Sequence, residues 1–226
     1  MTTDAARVMA HIAETVGTNP AGWARWPGGW PGDIESALVD AVFSARAVYK
    51  TKYGRGIYFK VVAWQRRRTR HDYLLPALIA EIDAIGVSAW ADRFGSHQLS
   101  PHRPATAPLG ASKVATVRQA AEALVRIGVT NARQISADNT DMVWNVLTSV
   151  PGLGYATANY FLMLLGAPGV KPDRMVKRFL ADATGHACSD AKADQAIWAA
   201  AERLDIEPHK LDHAIWSYES RKAARR

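Results

Sequence analysis

The sequence predicts an all-helical protein. Apolar residues recur at helical spacing along most of the chain, as Val8, Ile12 and Val16 do near its start. No segment shows the alternation of apolar and polar residues that is typical of a strand, and no internal repeat is visible. At 226 residues the chain is long enough for one domain or for two small ones.

The predicted helices follow one another with short connections. A first helix is expected over residues 3–16, followed by an ordered linker over residues 17–32, which are rich in Gly, Pro and Trp. A second helix over residues 33–49 begins with an aspartate that is suited to cap it. Residues 57–67 fit a helix or a strand, and the proline-rich stretch Gln98–Leu109 predicts a loop. The remaining helices are expected over residues 72–84, 112–127, 131–136, 139–149, 155–165, 173–184, 189–203 and 207–221.

Composition limits the classes of function. Lys and Arg total 28 against 21 Asp and Glu, which gives a formal charge of +7 and favours a polyanionic partner such as nucleic acid. The single cysteine, Cys188, excludes an internal disulfide, a cysteine-only zinc site and a four-cysteine iron–sulfur cluster. No apolar run is long enough to cross a bilayer and the N-terminus is unlike a secretory signal, so a cytoplasmic location is expected.

The positive charge is concentrated in one segment. Residues 46–71 contain nine Lys or Arg and no acid, with five aromatic residues interleaved. Basic groups neutralise phosphates and aromatic rings stack on bases, so this pattern indicates nucleic-acid binding. The alternative is a solvated helix face whose aromatic residues are turned into the core.

A helical hairpin is predicted around the turn 150–154, which reads Val-Pro-Gly-Leu-Gly. Pro151 ends the preceding helix, and Gly152 and Gly154 are expected to allow positive φ and a close approach of a foreign backbone. Leu153 is expected to pack between the two helices. The amides at the start of the second helix would then form a site for a phosphate oxygen. An ordinary short turn between helices is the alternative.

With the residues that follow, this hairpin resembles the helix-hairpin-helix signature of the HhH-GPD superfamily of DNA glycosylases. The matching residues are the turn 150–154, the run Thr157–Phe161 and the aspartate Asp173, with Val176 and Arg178 at the places of a hydrophobic residue and an arginine. The likeness is greatest to the alkyladenine (3-methyladenine) glycosylase type. It extends more loosely over residues 33–185, where Ser44–Arg46 and Gly110–Lys113 also match.

The resemblance implies two helical lobes with a DNA-binding cleft between them. One lobe would be a helical barrel of residues 33–150, and the other would join residues 1–32 to residues 151–226, with the hairpin at the junction. Duplex DNA containing a modified base would be the partner, and the protein would be a monomer. The base that is excised stays open, as does the choice between repair and attack on modified foreign DNA.

Asp173 is the predicted catalytic residue. Breaking an N-glycosidic bond generates an oxocarbenium-like sugar, which a fixed carboxylate stabilises while it orients the attacking water. Family members with lyase activity carry a lysine two residues after the second hairpin glycine, whereas Ala156 stands here, so a monofunctional glycosylase is implied. Lys171 or Lys177 could replace that lysine. Taken alone, Asp173 could also be a simple helix cap.

Other site residues are assigned by position. Trp144, Tyr155 and Tyr160 are candidate walls of a base pocket, although such aromatic residues belong more often to the core. No cofactor is expected to be required, but the resemblance implies a monovalent cation, K⁺ or Na⁺, on the main-chain carbonyls of Thr148, Val150 and Leu153. A non-catalytic helix-hairpin-helix DNA-binding protein is the alternative function. The residues expected to bind DNA are Arg46, Lys50, Lys52, Gly152, Leu153, Gly154 and Arg178.

Overall fold

The computed structural model describes residues 3–26, 28–50, 53–94 and 112–224. Within these ranges the regular elements are all helices, so the prediction of an all-helical fold is confirmed there. Short 3-10 helices cover Pro20–Gly22 and Ala132–Gln134. The α-helices are α1 (Thr3–Thr15), α2 (Ile34–Ser44), α3 (Ile57–Arg67), α4 (Leu75–Ile85), α5 (Val87–Asp92), α6 (Lys113–Arg126), α7 (Thr140–Thr148), α8 (Tyr155–Leu164), α9 (Arg174–Thr184), α10 (Asp190–Arg203) and α11 (Pro208–Ala224).

Most helix bounds agree with the sequence pattern to within a few residues, and the differences are few. The ambiguous segment 57–67 is the helix α3. Helix α2 ends at Ser44 and not near Tyr49, and Arg46 beyond it has a left-handed φ of 53°. Helix α5 was not predicted, and the helix expected over 131–136 is a single 3-10 turn.

The chain divides into two compact units. A central unit contains residues 29–167, and a terminal unit combines the chain up to residue 28 with the chain from residue 168 onwards. These bounds differ from the expected ones at residues 33 and 150. Because α8 packs against α2 and α7, the whole hairpin belongs to the central unit.

Helix α2 is the centre of the central unit, and all eleven of its residues are buried. It packs against α3, α6 and α8, while α4 packs on α6. The side chain of Asp33 caps its first turn by accepting a hydrogen bond from the Ser36 amide at 3.0 Å. At its other end the buried ammonium group of Lys113 donates to the carbonyls of Phe43 at 2.8 Å and Ala45 at 2.9 Å. Lys113 therefore caps α2 from α6 and explains why α2 ends early.

The terminal unit is built from α1, α9, α10 and α11. Helix α9 packs against α1 and α11, and α10 also contacts both of them. The amphipathic face of α9 supplies the centre of the apolar core. The principal buried members of that core are Val8, Ile12, Val176, Phe179, Leu180, Ala193, Ile197, Leu211 and Ile215.

No helix in the described ranges combines the length and the apolar character needed to span a membrane. The predicted loop Gln98–Leu109 and the loosely matching Gly110 lie outside the described residues.

Candidate functional site

The hairpin joins α7 to α8 through a tight turn. The Val150 amide donates to the Leu147 carbonyl and the Leu153 amide donates to the Val150 carbonyl, both at 3.0 Å. Val150 and Leu153 are buried, whereas Pro151 and Gly152 between them are exposed. The two apolar side chains thus anchor the turn and present its tip to solvent, as the sequence predicts for Leu153.

The two glycines of the turn have different roles. Gly152 has a φ of 92°, the left-handed region that favours glycine. Gly154 has a φ of −115° and a ψ of 178°, so the expected positive φ at this position was wrong. A Cβ at Gly154 would meet no heavy atom within 4 Å. The absent side chain therefore leaves open space in front of α8 and relieves no backbone strain.

Helix α8 begins without a side-chain cap, because Gly154 occupies the capping position. The first amides of an α-helix have no partner within the helix, and the positive end of the helix dipole lies beside them. This combination of open space, uncapped amides and a positive dipole end is suited to an anion.

Three carbonyls of the hairpin were expected to hold a monovalent cation. The Val150 carbonyl accepts the Leu153 amide. Among the described residues, no backbone hydrogen bond outside the helices is accepted by the carbonyls of Thr148 or Leu153. Two of the three carbonyl oxygens thus accept no such bond, which is the chemistry that K⁺ or Na⁺ requires of its ligands, and a cation at the hairpin stays a prediction.

The three candidate pocket aromatics do not form one group. The rings of Trp144 and Tyr155 meet edge to face with centroids 5.2 Å apart, and the Trp144 indole donates to the Asn159 side chain at 2.7 Å. Tyr160 is buried and lies instead beside Tyr49, with ring centroids 6.3 Å apart. Trp144 and Tyr155 are half-buried and could line a pocket, whereas Tyr160 belongs to the core of the central unit.

A buried carboxylate in this core was missed by sequence reasoning. Asp40 is fully buried within α2 and accepts hydrogen bonds from the Trp30 indole at 2.8 Å and the Tyr49 hydroxyl at 3.0 Å. Tyr58 packs against both of these rings. Burial, together with the neighbouring Asp40 charge, raises the pKa of Tyr49. The signal available in the sequence was that Asp40 is the one polar residue of the otherwise apolar run 37–43.

The residues expected to contact DNA have different environments. Arg46 and Lys50 are exposed in the central unit, and the Lys50 ammonium lies 4.7 Å from the centre of the Tyr58 ring. Lys52 lies outside the described residues. Arg178 belongs to the terminal unit, where its guanidinium binds the Glu219 carboxylate and donates to the Glu219 carbonyl at 3.1 Å. Arg178 is thus engaged in packing α9 on α11, which argues against the expected DNA contact.

Part of the basic segment has a role that neither expectation gave it, because Arg68 is buried, Arg70 is half-buried, and both are paired with carboxylates. Arg68 is buried and lies 2.5 Å from the Asp33 carboxylate and 2.6 Å from that of Glu35. Arg70 also reaches Glu35, at 2.5 Å. Burial raises the pKa of Glu35, and the two arginines act in the opposite direction. These arginines stabilise the central unit.

Asp173 caps α9 in the terminal unit. Its Oδ1 accepts the amides of Met175 at 2.7 Å and Val176 at 3.3 Å. The side chain is half-buried, and no ion pair among the described residues involves it. One carboxylate oxygen is therefore held by the helix amides, while Oδ2 makes no hydrogen bond in the described part of the chain.

A second carboxylate lies close to Asp173. Asp212 on α11 is buried, and its Oδ1 accepts the Lys171 amide at 3.0 Å. The Lys171 carbonyl in turn accepts the Asp173 amide at 2.6 Å. Burial raises the pKa of Asp212 well above its ordinary value, and the negative charge of Asp173 acts in the same direction. Sequence reasoning missed Asp212, since only the packing of α9 on α11 brings it near.

Lys177, one of the two alternative lyase lysines, and two histidines of α11 lie elsewhere in the terminal unit. Lys177 lies 2.6 Å from the Asp190 carboxylate, so its ammonium is paired. His209 and His213 pack against Trp26, with centroids 6.3 Å and 5.4 Å apart. Burial lowers the pKa of His209. A search of the described residues finds no group of three His, Cys, Asp or Glu that could hold a metal ion.

The geometry thus defines an all-helical protein with an anchored helical hairpin and a pair of neighbouring carboxylates. The chain matches the family described as "Domain of unknown function (DUF8548)" over residues 7–220, and it belongs to that family. Comparison with curated proteins and with solved structures gave no match.

Proposed function

We propose that this protein is a monofunctional DNA glycosylase of the HhH-GPD type, which hydrolyses the N-glycosidic bond of a modified base flipped out of duplex DNA. The observation that carries the proposal is Asp173. Its carboxylate is fixed by two helix amides, keeps one oxygen without a hydrogen bond, and forms no ion pair among the described residues. A carboxylate held in this way is suited to a transition state that develops positive charge.

In this proposal the hairpin supplies the grip on DNA. A phosphate oxygen fits the open space at Gly154, where the amides that begin α8 face it. Such a contact positions the strand without reading its sequence. A cation on the hairpin carbonyls would add positive charge beside the same phosphate. The exposed side chains of Arg46 and Lys50 would add further phosphate contacts.

Asp173 supplies the chemistry. As the bond from the sugar to the base stretches, the sugar gains oxocarbenium character, and the Asp173 carboxylate stabilises it electrostatically. The same group orients or deprotonates the water that attacks the anomeric carbon. The products are the free base and an abasic site. With Ala156 at the family's lysine position and Lys177 paired with Asp190, hydrolysis is favoured over a Schiff-base route.

One observation favours a non-catalytic DNA-binding protein instead. The two hydrogen bonds from Asp173 to the amides of α9 are those of an ordinary helix cap, and capping alone accounts for an aspartate there. In that case the hairpin would bind DNA and Asp173 would only stabilise α9.

A product assay separates the two functions. The protein is incubated with a panel of duplexes, each carrying one modified base, with alkylated purines first and deaminated and bulky modified bases next. Abasic sites are then revealed by cleavage with alkali. The proposal predicts alkali-dependent cleavage of at least one duplex and no trapping by borohydride. Binding without cleavage of any duplex would favour the non-catalytic protein, and borohydride trapping would indicate a lyase.

A further inference from the structure

A basic cavity in the central unit has no part in the function proposed above. It has a volume of about 1080 Å³ and is lined by the segment before α3, by α3 itself and by residues beyond it. This volume is slightly above the ~300–1000 Å³ that is usual for small-molecule sites. Glu81 is the one acidic residue among the described lining residues. The cationic residues that line the cavity are Arg55, Lys60, Arg67, Arg68, Arg70 and Arg93.

Three of these cations are already paired with carboxylates. Arg68 and Arg70 bind Glu35, and Arg93 binds Glu81. These pairs hold the guanidinium groups in fixed positions, so this part of the wall is rigid and close to neutral. It shapes the cavity but adds little net charge.

Lys60 and Arg67 provide the uncompensated charge. No ion pair between described residues involves either of them. The Lys60 ammonium donates to the Phe94 carbonyl at 2.5 Å, which leaves its remaining N–H donors for a ligand. Arg67 is exposed and makes no hydrogen bond within the described part of the chain. Lys60 and Arg67 stand seven residues apart on one face of α3, about two helical turns, a spacing that two long side chains can close towards a phosphate group.

The remaining wall is aromatic and aliphatic. Phe59 and Trp64 on α3 line the cavity together with Phe94. Phe59 is half-buried, so a face or edge of its ring is accessible, whereas Trp64 and Phe94 are buried. A planar base stacks on such a ring with little dependence on its identity.

We propose that this cavity binds a nucleoside phosphate, with its phosphate on Lys60 and Arg67 and its base against Phe59. Such a group has two sources, a free nucleotide or a nucleotide within a DNA strand. The inference does not rest on base excision, because it requires neither Asp173 nor a modified base.

The test measures displacement of a fluorescein-labelled single-stranded oligodeoxynucleotide of unmodified bases from the full chain. The competitors are unlabelled oligonucleotide, ADP, inorganic pyrophosphate and adenosine. Each is measured with the wild type and with Arg67→Ala, Lys60→Ala and Phe59→Ala. The matched control is Arg66→Ala, which removes the same charge from the adjacent exposed residue of α3 that does not line the cavity. Thermal unfolding checks that each variant is folded.

We expect Arg67→Ala and Lys60→Ala each to weaken nucleotide binding about fivefold. Each substitution removes one charge-assisted hydrogen bond to phosphate, whose strength is reduced by solvent screening. Arg66→Ala should leave nucleotide binding unchanged. Phe59→Ala should weaken the binding of ADP but not that of pyrophosphate, which has no base. Displacement by ADP points to a free nucleotide, and displacement by the oligonucleotide alone points to a strand. Equal effects of Arg66→Ala and Arg67→Ala, or equal affinity for ADP and pyrophosphate, would overturn the proposal.

Discussion

Buried carboxylates have different partners in the two units of the chain. In the central unit, Asp33 and Glu35 face the guanidinium group of Arg68, and Arg70 also reaches Glu35. In the terminal unit, the buried Asp212 faces the negative charge of Asp173. Burial raises the pKa of Glu35 and that of Asp212, but nearby charges oppose the shift for Glu35, whereas Asp173 reinforces it for Asp212.

The difference separates groups that hold the fold from groups that are available for chemistry. A buried carboxylate with an arginine partner is compensated, and breaking the pair leaves an uncompensated charge. Asp173 and Asp212 form no ion pair among the described residues, and although the Lys171 charge partly opposes the shift, the Asp173 charge adds to the raised pKa of Asp212. Perturbed groups of this kind concentrate at functional sites. The terminal unit also contains the compensated kind, since Glu219 is buried and paired with Arg178. Asp173 and Asp212 therefore differ from Glu219 of the same unit, which has an arginine partner.

The largest expected effect on stability comes from breaking the ion pairs that Arg68 forms with Asp33 and Glu35. Arg68→Ala leaves Asp33 and Glu35 buried without their main partner, so the free energy of unfolding should fall by about 3–5 kcal/mol. Urea denaturation followed by circular dichroism measures this change. Arg66→Ala, at an exposed position of α3, is the control and should shift stability by less than about 0.5 kcal/mol. Similar effects of the two substitutions would show that the network contributes nothing beyond surface charge.

Asp212 should give a smaller effect that depends on pH. Because its pKa is raised in the folded state, the fold binds a proton more tightly than the unfolded chain does. This contribution is fully present below the unfolded pKa of about 3.9 and is lost as the pH rises through the folded pKa. Asp212→Asn has no carboxyl group to ionise, so it does not lose this stability as the pH rises. The free energy of unfolding of the variant, relative to that of the wild type, should therefore increase from acidic towards neutral pH.

Asp212→Ala is the control for the hydrogen bond. It removes the acceptor of the Lys171 amide as well as the charge, so it should be about 1–3 kcal/mol less stable than Asp212→Asn. Urea denaturation at a series of pH values measures both variants. A stability difference between Asp212→Asn and the wild type that does not change with pH would contradict the raised pKa.

The smallest expected effect tests the hairpin as an anion site. At Gly154 the backbone is extended and a side chain meets open space, so Gly154→Asp and Gly154→Ser should both cap α8 and preserve stability. The aspartate places negative charge where a phosphate is proposed, so it should weaken binding to duplex DNA about fivefold, irrespective of sequence. Fluorescence anisotropy compares the two variants. Equal DNA affinity of Gly154→Asp and Gly154→Ser would exclude this end of α8 as the contact.

Local signals explain why most of the fold was predictable. Asp33, Ser112, Asp173 and Ser189 each accept a hydrogen bond from the first turn of the helix they precede, as their positions in the sequence suggest. The early end of α2 was not predictable, because its cap comes from Lys113, which is distant in the sequence. Tertiary packing thus determined the end of α2, whereas local capping determined where these four helices begin.

The same distinction applies to the candidate site. The hairpin and the capping role of Asp173 follow from residues that are close in the chain, and both were predicted. The neighbour Asp212 and the partners of Arg68 and Arg178 depend on which helices pack together. A sequence shows that a basic residue is present, but not whether it forms an ion pair with a buried acid in the folded protein.

The most direct measurement compares excision and DNA binding in Asp173→Asn. Asparagine caps a helix about as well as aspartate, so α9 and DNA affinity should be retained. The account predicts that excision falls by on the order of 10²-fold or more, the scale for one electrostatic group in a transition state. Asp205→Asn, an exposed acid of the same unit at a φ of 53° that asparagine tolerates, is the control and should excise normally. Unchanged excision by Asp173→Asn would contradict the proposed mechanism.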